Sequence, residues 1–206
     1  MSQSYSPTPT TTLRRLAGRG SYDRETVHAI LDEALIAHIG TTINGRPVVQ
    51  PTLHWRVGEE VFVHGSSKNG LFAALKGGAE ACLTVSLIDG LVLARSAFHH
   101  SVNYRAVMAF GVFREVTDPA EKEAALAALM EKLEPGRGAQ VRGPNAQELK
   151  GTGVYALTLS EVSAKLRNGP PSDDAADYDV PVWAGVVPLR LERGERIADP
   201  TPRPAR

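Results

Sequence analysis

Cysteine is nearly absent from this chain, since Cys82 is the single cysteine among 206 residues. One thiol cannot form a disulfide within the chain or supply a cysteine-based zinc site. No basic residue lies close in sequence to activate Cys82 as a nucleophile, so a buried structural thiol is predicted.

Net charge and long apolar runs are also missing. The 23 basic residues balance 23 acidic ones, which gives no sign of nucleic-acid binding. No apolar run approaches the roughly 20 residues of a membrane helix, and the polar start of the chain lacks the regions of a signal peptide. The sequence therefore predicts a cytoplasmic protein that acts away from membranes and nucleic acid.

Common nucleotide and catalytic motifs do not occur either. Gly65 and Gly70 have the spacing of a Walker A loop, but Leu71 stands where that loop needs lysine. The stretch GRGSYD at 18–23 lacks the third glycine of a dinucleotide fingerprint. G-x-S-x-G and H-E-x-x-H are absent. ATP binding, a Rossmann fold and serine hydrolysis are not expected, and no catalytic residue is assigned.

Composition divides the chain into one domain with two tails. Residues 1–12 are rich in Ser, Thr and Pro, and residues 195–206 in Pro and Arg, so both tails are predicted to be disordered. The remaining residues, 13–194, are enough for one packed domain.

Apolar spacing predicts two amphipathic helices. Residues 24–36 carry an apolar stripe behind Asp23, a suitable N-cap. Residues 118–133 begin with Asp118 as N-cap and Pro119 at the first helical position.

The rest of the domain is predicted to form antiparallel strands. Asn44-Gly45 and Gly58-Glu59 separate apolar runs as hairpin turns do, and the second turn places Trp55 opposite Phe62. Asp89-Gly90 is interpreted as a further turn, and 104–116 and 153–166 as later strands. Six or more strands with a few helices indicate a mainly β fold, a closed barrel.

A polar elbow lies between the strand pattern ending at His64 and a helical pattern. It consists of Gly65, Ser66, Ser67, Lys68 and Asn69, so backbone N–H groups, two hydroxyls and an ammonium converge where a helix begins. These residues suit a terminal phosphate. They also suit a plain turn followed by a helix N-cap.

The six histidines do not predict a metal site within one chain. In the proposed hairpin His54 and His64 point to opposite faces, and the adjacent His99 and His100 diverge. A metal or haem site between subunits stays open. Arg105, near the start of a strand, either pairs with a carboxylate or faces a planar ligand.

Four stretches in order resemble the pyridoxamine-phosphate-oxidase-like flavoproteins, in the flavin-nucleotide-binding branch that contains the Nim-type nitroimidazole reductases. They span about residues 22–190 and read RPVVQPTLHW, VFVHGSSKNGLFAAL, IDGLVLARSAFHHSVNYRAVMAFG and AKLRNGPPSDDAADYDVPVWAGVVPL. The resemblance implies a mainly β, FMN-binding split β-barrel with flanking helices. It also implies a homodimer that holds FMN at the subunit interface.

The same resemblance implies which residues bind FMN. Pro51, Thr52 and Leu53 would run beside the flavin ring, and the elbow from Gly65 to Asn69 would take the phosphate. The site would be completed by Tyr104, Arg105 and Trp183, with His64 in the place of a histidine of Nim-type members. Family members often carry Ser and Arg where this chain has Asn69 and Gly70, so Lys68 would supply the charge. The acidic loop 168–181 is a solvated loop or a lid.

By resemblance, the expected function is FMN-dependent oxidation or reduction of a small molecule, with a nitroaromatic or quinone as a conceivable acceptor. A non-catalytic flavin-binding module is one alternative. A haem-binding or haem-degrading relative, with a histidine as axial ligand, is another. The C-terminal R-L-x-P of pyridoxamine phosphate oxidase is absent, so that activity is not expected.

Overall fold

The structure is a computed structural model, and it describes residues 3–66 and 68–201. The strands are β1 (Gly20–Ser21), β2 (Ile36–Ile43), β3 (Arg46–Val57), β4 (Glu60–Ser66), β5 (Glu80–Leu93), β6 (Ser101–Val112), β7 (Arg114–Glu115), β8 (Thr152–Thr158), β9 (Glu161–Arg167) and β10 (Gly185–Pro188). The helices are α1 (Arg24–Glu33), α2 (Gly70–Lys76), α3 (Pro119–Leu133) and α4 (Ala146–Gly151). Within the described residues, no helix has the length and apolarity needed to span a bilayer.

The strands form one antiparallel sheet that curls without closing. Their order is β1-β9-β6-β5-β2-β3-β4-β8-β7, and β10 pairs with β5. The end strands β1 and β7 do not pair, and the consecutive strands β8 and β9 lie near opposite ends of the order. The split barrel with flanking helices is confirmed, whereas the closed barrel expected from the strand count does not form among the described residues.

Helix α1 fills the inside of the curled sheet. Its residues Val27, Ile30 and Leu31 are fully buried, and each such side chain stabilises the fold by roughly 1.5–3 kcal/mol. Asp23 is its N-cap as predicted, because its carboxylate accepts the N–H of Thr26 at 2.8 Å. The helix ends at Glu33, and Ile36, the first residue of β2, pairs with Leu53 of β3.

Helix α3 covers the outer side of β3, β4 and β8. It buries Ala125 and Leu129 against a second cluster that contains Trp55 and Phe62. Those two residues are directly opposite each other, and their rings stack with centroids 5.8 Å apart. The predicted hairpin register is therefore confirmed.

Two strand predictions need correction. Asp89-Gly90 is not a turn but part of β5, where the pairing with β6 shifts register between Ile88 and Gly90. A Cβ at Gly90 would lie 3.0 Å from Val186 Cγ1 of β10, so the glycine permits the close approach of that strand. The stretch 153–166 forms two strands, β8 and β9, rather than one.

The predictions for the N-terminal tail and for Cys82 are also wrong in part. Tyr5 is buried, and its hydroxyl donates to Glu59 Oε2 at 2.8 Å and contacts His28 Nε2 at 2.9 Å. One aromatic anchor thus packs residues 3–12 on the domain.

Cys82 is only half-buried, since it lies on the outward side of β5. Residues 202–206 of the C-terminal tail lie outside the described residues.

Candidate functional site

The outward side of the sheet is covered by α3 at one end and uncovered at the other. Side chains alternate along a strand, and the register aligns Pro51 with His38, His38 with Thr84, and Thr84 with Met108. We call the uncovered part the open face; its residues are Ile36, His38, Val49, Pro51, Leu53, Thr84, Ser86, Ile88, Tyr104, Ala106, Met108 and Phe110.

The open face is largely apolar. Val49 is 66% exposed, Ile88 56% and Met108 42%. Small or polar side chains, such as Ser86 and Ala106, lie between these larger residues. A contiguous exposed apolar surface on a sheet marks a site for a ligand or another protein.

The expected flavin-binding residues divide between the two sides of the sheet. Pro51, Leu53 and Tyr104 lie on the open face. Thr52 aligns with the buried Ala37 and therefore points inward. Arg105 also points inward, although Tyr104 is its neighbour in sequence.

His64 lies at the border between the open face and the cluster under α3. Its ring meets the edge of Trp55 with centroids 5.6 Å apart. Its Nδ1 atom is buried without a hydrogen-bond partner, and burial lowers the pKa of the imidazole. The ring is therefore neutral at pH 7 and can offer a nitrogen lone pair to a metal.

The elbow after β4 forms a turn and a helix cap. The Lys68 N–H donates to Ser66 Oγ at 3.3 Å, and Asn69 Oδ1 accepts the N–H of Leu71 at 2.8 Å at the start of α2. The Ser66 and Lys68 side chains are exposed, while Ser67 lies outside the described residues. The helix cap is formed, and Ser66 and Lys68 stay accessible to a phosphate.

Gly65 has a packing role that sequence reasoning missed. A Cβ at this position would lie 2.1 Å from Cε2 of Phe72, whose ring stacks on Tyr155 with centroids 5.2 Å apart. Glycine at the start of the elbow is thus required by α2, with no ligand involved.

Arg105 is held by two carboxylates. Its Nε donates to Asp89 Oδ2 at 2.9 Å, and its Nη2 donates to Asp89 Oδ1 at 2.7 Å and to Glu33 Oε1 at 2.8 Å. These bonds raise the pKa of Arg105, and they lower the pKa of Glu33. Of the two interpretations from the sequence, the structure supports a carboxylate-paired arginine.

The Arg105 ion pairs line a cleft of about 960 Å³ at one end of the barrel. Ser86 and Ile88 belong to both the cleft and the open face, so the two surfaces are continuous. Lys132 of α3 forms part of the wall and donates to the Leu31 carbonyl at 2.9 Å. Burial lowers the pKa of Lys132 to about 8. No sequence signal marked this lysine, because it sits among the exposed charges of a helix.

Trp183 stands two residues before β10 and is 65% exposed. A Cβ at Gly185 would lie 2.8 Å from Trp183 Cζ2, so the ring packs over the glycine. β10 attaches this segment to β5.

The comparisons with known proteins agree with this architecture. The family model described as pyridoxamine 5'-phosphate oxidase matches residues 23–166. No curated protein matches the chain in sequence.

Several solved structures are similar to this chain, including the following three. The flavocytochrome Anf3 from Azotobacter vinelandii is 43% identical, with a TM-score of 0.91 over 97% of this chain and 93% of that chain. The FAD and heme binding protein from Mycobacterium smegmatis is 36% identical, with a TM-score of 0.85 over 88% and 89%. A candidate 5-nitroimidazole antibiotic resistance protein from Bacteroides thetaiotaomicron is 20% identical, with a TM-score of 0.60 over 71% and 85%, and shares the fold.

Proposed function

This chain belongs to the pyridoxamine 5'-phosphate oxidase family of split-barrel proteins, and on that premise we propose that it is a redox protein that binds a flavin together with haem. The observation that carries the proposal is its similarity, over most of its length, to a flavocytochrome at 43% identity and to an FAD and heme binding protein at 36%. The flavin provides two-electron chemistry and the haem one-electron chemistry.

The open face suits a flat, largely apolar flavin ring. Pro51, Leu53 and Tyr104 lie on this face, and no helix of the described chain covers it. At its border, Ser66 and Lys68 offer a hydroxyl and an ammonium to a phosphate. Both FMN and FAD carry a phosphate on the ribityl chain, so the elbow can bind either cofactor. Similarity to the FAD and heme binding protein from M. smegmatis favours FAD over FMN, the cofactor expected by resemblance.

His64 is the histidine best suited to ligate haem iron. Its imidazole is neutral, and its Nδ1 has no partner. Among the other histidines, His28 contacts Tyr5, His100 contacts the Ser96 carbonyl, and the core residue His54 contacts the Leu31 carbonyl through Nε2, although its Nδ1 is also unpartnered. His99 Nε2 is unpartnered too, but it lies 3.4 Å from Asp174 Oδ2. His38 shares the open face but is exposed. His64 would therefore be the residue that holds the haem iron.

The protein is also proposed to be a homodimer whose subunits meet at the open face. The exposed Val49, Ile88 and Met108 would be buried there, and a flavin between the subunits would be shielded from water. Turnover of a nitroaromatic or quinone acceptor, and the cytoplasmic location, stay predictions.

The absorbance spectrum of the purified protein tests the proposal. Bands near about 370 and 450 nm indicate oxidised flavin, and a Soret band near about 400 nm indicates haem. Acid extraction and chromatography then separate FAD from FMN. A protein that takes up neither added flavin nor haem would overturn the proposal; flavin without haem would reject its haem part.

Two pairs of variants test the assigned residues. Lys68→Ala should weaken flavin binding by about 10- to 150-fold, since a charged phosphate hydrogen bond is worth about 1.5–3 kcal/mol. Lys76→Ala is the control, because that lysine, at the end of α2, pairs with Glu115 of β7. His64→Ala should abolish the Soret band and His38→Ala should keep it. The reverse result would reject the assignment of His64.

A further inference from the structure

The turn between β5 and β6 is clamped to the acidic loop 168–181. The Asp173 carboxylate is fully buried, and its Oδ1 accepts the N–H groups of Arg95 at 2.9 Å and Ser96 at 3.3 Å. Its Oδ2 accepts from Arg95 Nη1 at 3.2 Å. The Arg95 guanidinium also lies 4.9 Å from the ring centre of Tyr178. These contacts hold the two segments in a fixed relation.

Three potential metal ligands meet beside this clamp. His99 is on the turn, and Asp174 and Asp177 are on the loop; one ligand atom from each lies within 4.8 Å of the other two. The His99 Nε2 atom is buried and has no hydrogen-bond partner, although it lies 3.4 Å from Asp174 Oδ2. Within the described chain, no donor forms a hydrogen bond to either of the two carboxylates.

We propose that His99, Asp174 and Asp177 bind a divalent zinc ion. An imidazole nitrogen and two carboxylate oxygens form a mixed donor set that suits zinc better than calcium or magnesium, which prefer oxygen alone. The two carboxylates balance the charge of the ion. The Asp174 side chain is 82% exposed, so water can complete the coordination.

The geometry requires a small adjustment. Ligands about 2.0–2.2 Å from a tetrahedral zinc are roughly 3.4 Å apart, so atoms that lie within 4.8 Å of one another must close by at most about 1.4 Å. His99 Nε2 and Asp174 Oδ2 are already 3.4 Å apart, and rotation of the two aspartate side chains can supply the remaining movement. The backbone of both segments is already fixed by Asp173, which reduces the cost of assembling the site.

This site is independent of the proposed flavin and haem chemistry. From the sequence, no metal site was expected because no two histidines could share one metal ion. The proposed site needs only one histidine, His99, together with two aspartates. The carboxylates that join His99 come from a loop about 75 residues later in the chain. A bound ion would fix this loop to the β5–β6 turn.

Zinc binding by the full-length protein tests the proposal. The protein is treated with EDTA, dialysed against buffered micromolar zinc, and analysed by inductively coupled plasma mass spectrometry. We expect one zinc per chain. His99→Ala and Asp177→Asn should each weaken binding by about 100-fold or more, because loss of a ligand exceeds the roughly 10–100-fold effect of an outer partner.

His100→Ala is the matched control, since the Nδ1 of this adjacent histidine contacts the Ser96 carbonyl. It should keep the affinity of the parent protein, and circular dichroism should show that all variants are folded. Zinc should raise the melting temperature of the parent and of His100→Ala but not of His99→Ala. Absence of zinc from the parent protein, or equal binding by the parent and His99→Ala, would overturn the proposal. Flavin and haem bands recorded on the same samples report separately on the proposed function.

Discussion

Burial and pairing decide the charge of the important ionisable residues. His54 and His64 lie on the paired strands β3 and β4 and on opposite faces of one hairpin, and burial lowers the pKa of both. Each has an unpartnered Nδ1, but His64 lies at the border of the open face, whereas His54 lies in the core and its Nε2 is bonded to the Leu31 carbonyl. His64 is therefore a candidate haem ligand, whereas His54 is a structural hydrogen-bond donor in the core.

His54 makes stability depend on pH. Burial, with Lys132 nearby, lowers its pKa to about 4. The unfolded chain, with an ordinary value near 6.5, binds the proton first, so stability is present above pH 6.5 and is lost as pH falls toward 4. Urea unfolding should show a loss of about 2–3 kcal/mol between pH 7 and pH 4.5 that His54→Gln lacks. His38→Gln, at an exposed position, should behave as the parent; an unchanged pH slope in His54→Gln would contradict the prediction.

Arg105 is expected to contribute more to stability than to flavin binding. Arg105→Met leaves Glu33 and Asp89 without their shared partner, and it should cost about 1–2 kcal/mol in urea unfolding, since the pairs are partly solvated. Flavin content should stay near that of the parent. Arg142→Met, which breaks a surface pair with Glu148, is the control and should change stability little. Loss of flavin without loss of stability would instead place Arg105 in the flavin site.

At the scale of elements, the turns and caps follow local sequence, but the continuity of strands does not. Asn44 and Gly45 adopt the positive φ values, 51° and 75°, that their hairpin requires. Asp89-Gly90 has similar turn chemistry, yet pairing with β6 and β10 on either side keeps it inside β5. Helix α2 likewise depends on a distant residue, because its Phe72 packs between Gly65 and the ring of Tyr155 in β8.

Gly65, at the start of the elbow, and Gly70, at the start of α2, test this packing. Gly65→Ala places a methyl group 2.1 Å from a Phe72 ring that is stacked on Tyr155, and it should lower the free energy of unfolding by about 1–3 kcal/mol. At Gly70, the first residue of α2, a Cβ would meet no atom within 4 Å, so Gly70→Ala should stabilise the protein by about 0.4–1 kcal/mol. Thermal unfolding measures both. Equal effects of the two substitutions would show that the packing account of Gly65 is wrong.

For the whole molecule, the main feature is the open face on the curled sheet. One part of the outward surface is covered by α3, and the other part exposes apolar side chains to water in the monomer. The Arg105 cleft opens onto the same surface through Ser86 and Ile88. A dimer that buries this surface would also enclose the proposed flavin.

Met108→Glu tests the role of the open face. A carboxylate on the central strand β6 would have to be desolvated in the interface, so the variant should elute as a monomer and lose flavin. Light scattering after size-exclusion chromatography measures the mass. Val141→Glu, at a 39% exposed position outside the sheet, should remain dimeric. A dimeric Met108→Glu protein would place the interface elsewhere.

The sequence by itself determined the local elements and the family. The two capped helices, the two hairpin turns and the Trp55–Phe62 pair depend on backbone preferences and on neighbours within about ten residues, which a single sequence records. The tertiary structure alone decided the strand order, the exposure of Cys82, the partners of Arg105 and the meeting of His99 with Asp174. Glu33 and Asp89 are 56 residues apart, and they reach one arginine because burial of apolar surface brings α1 and β5 together.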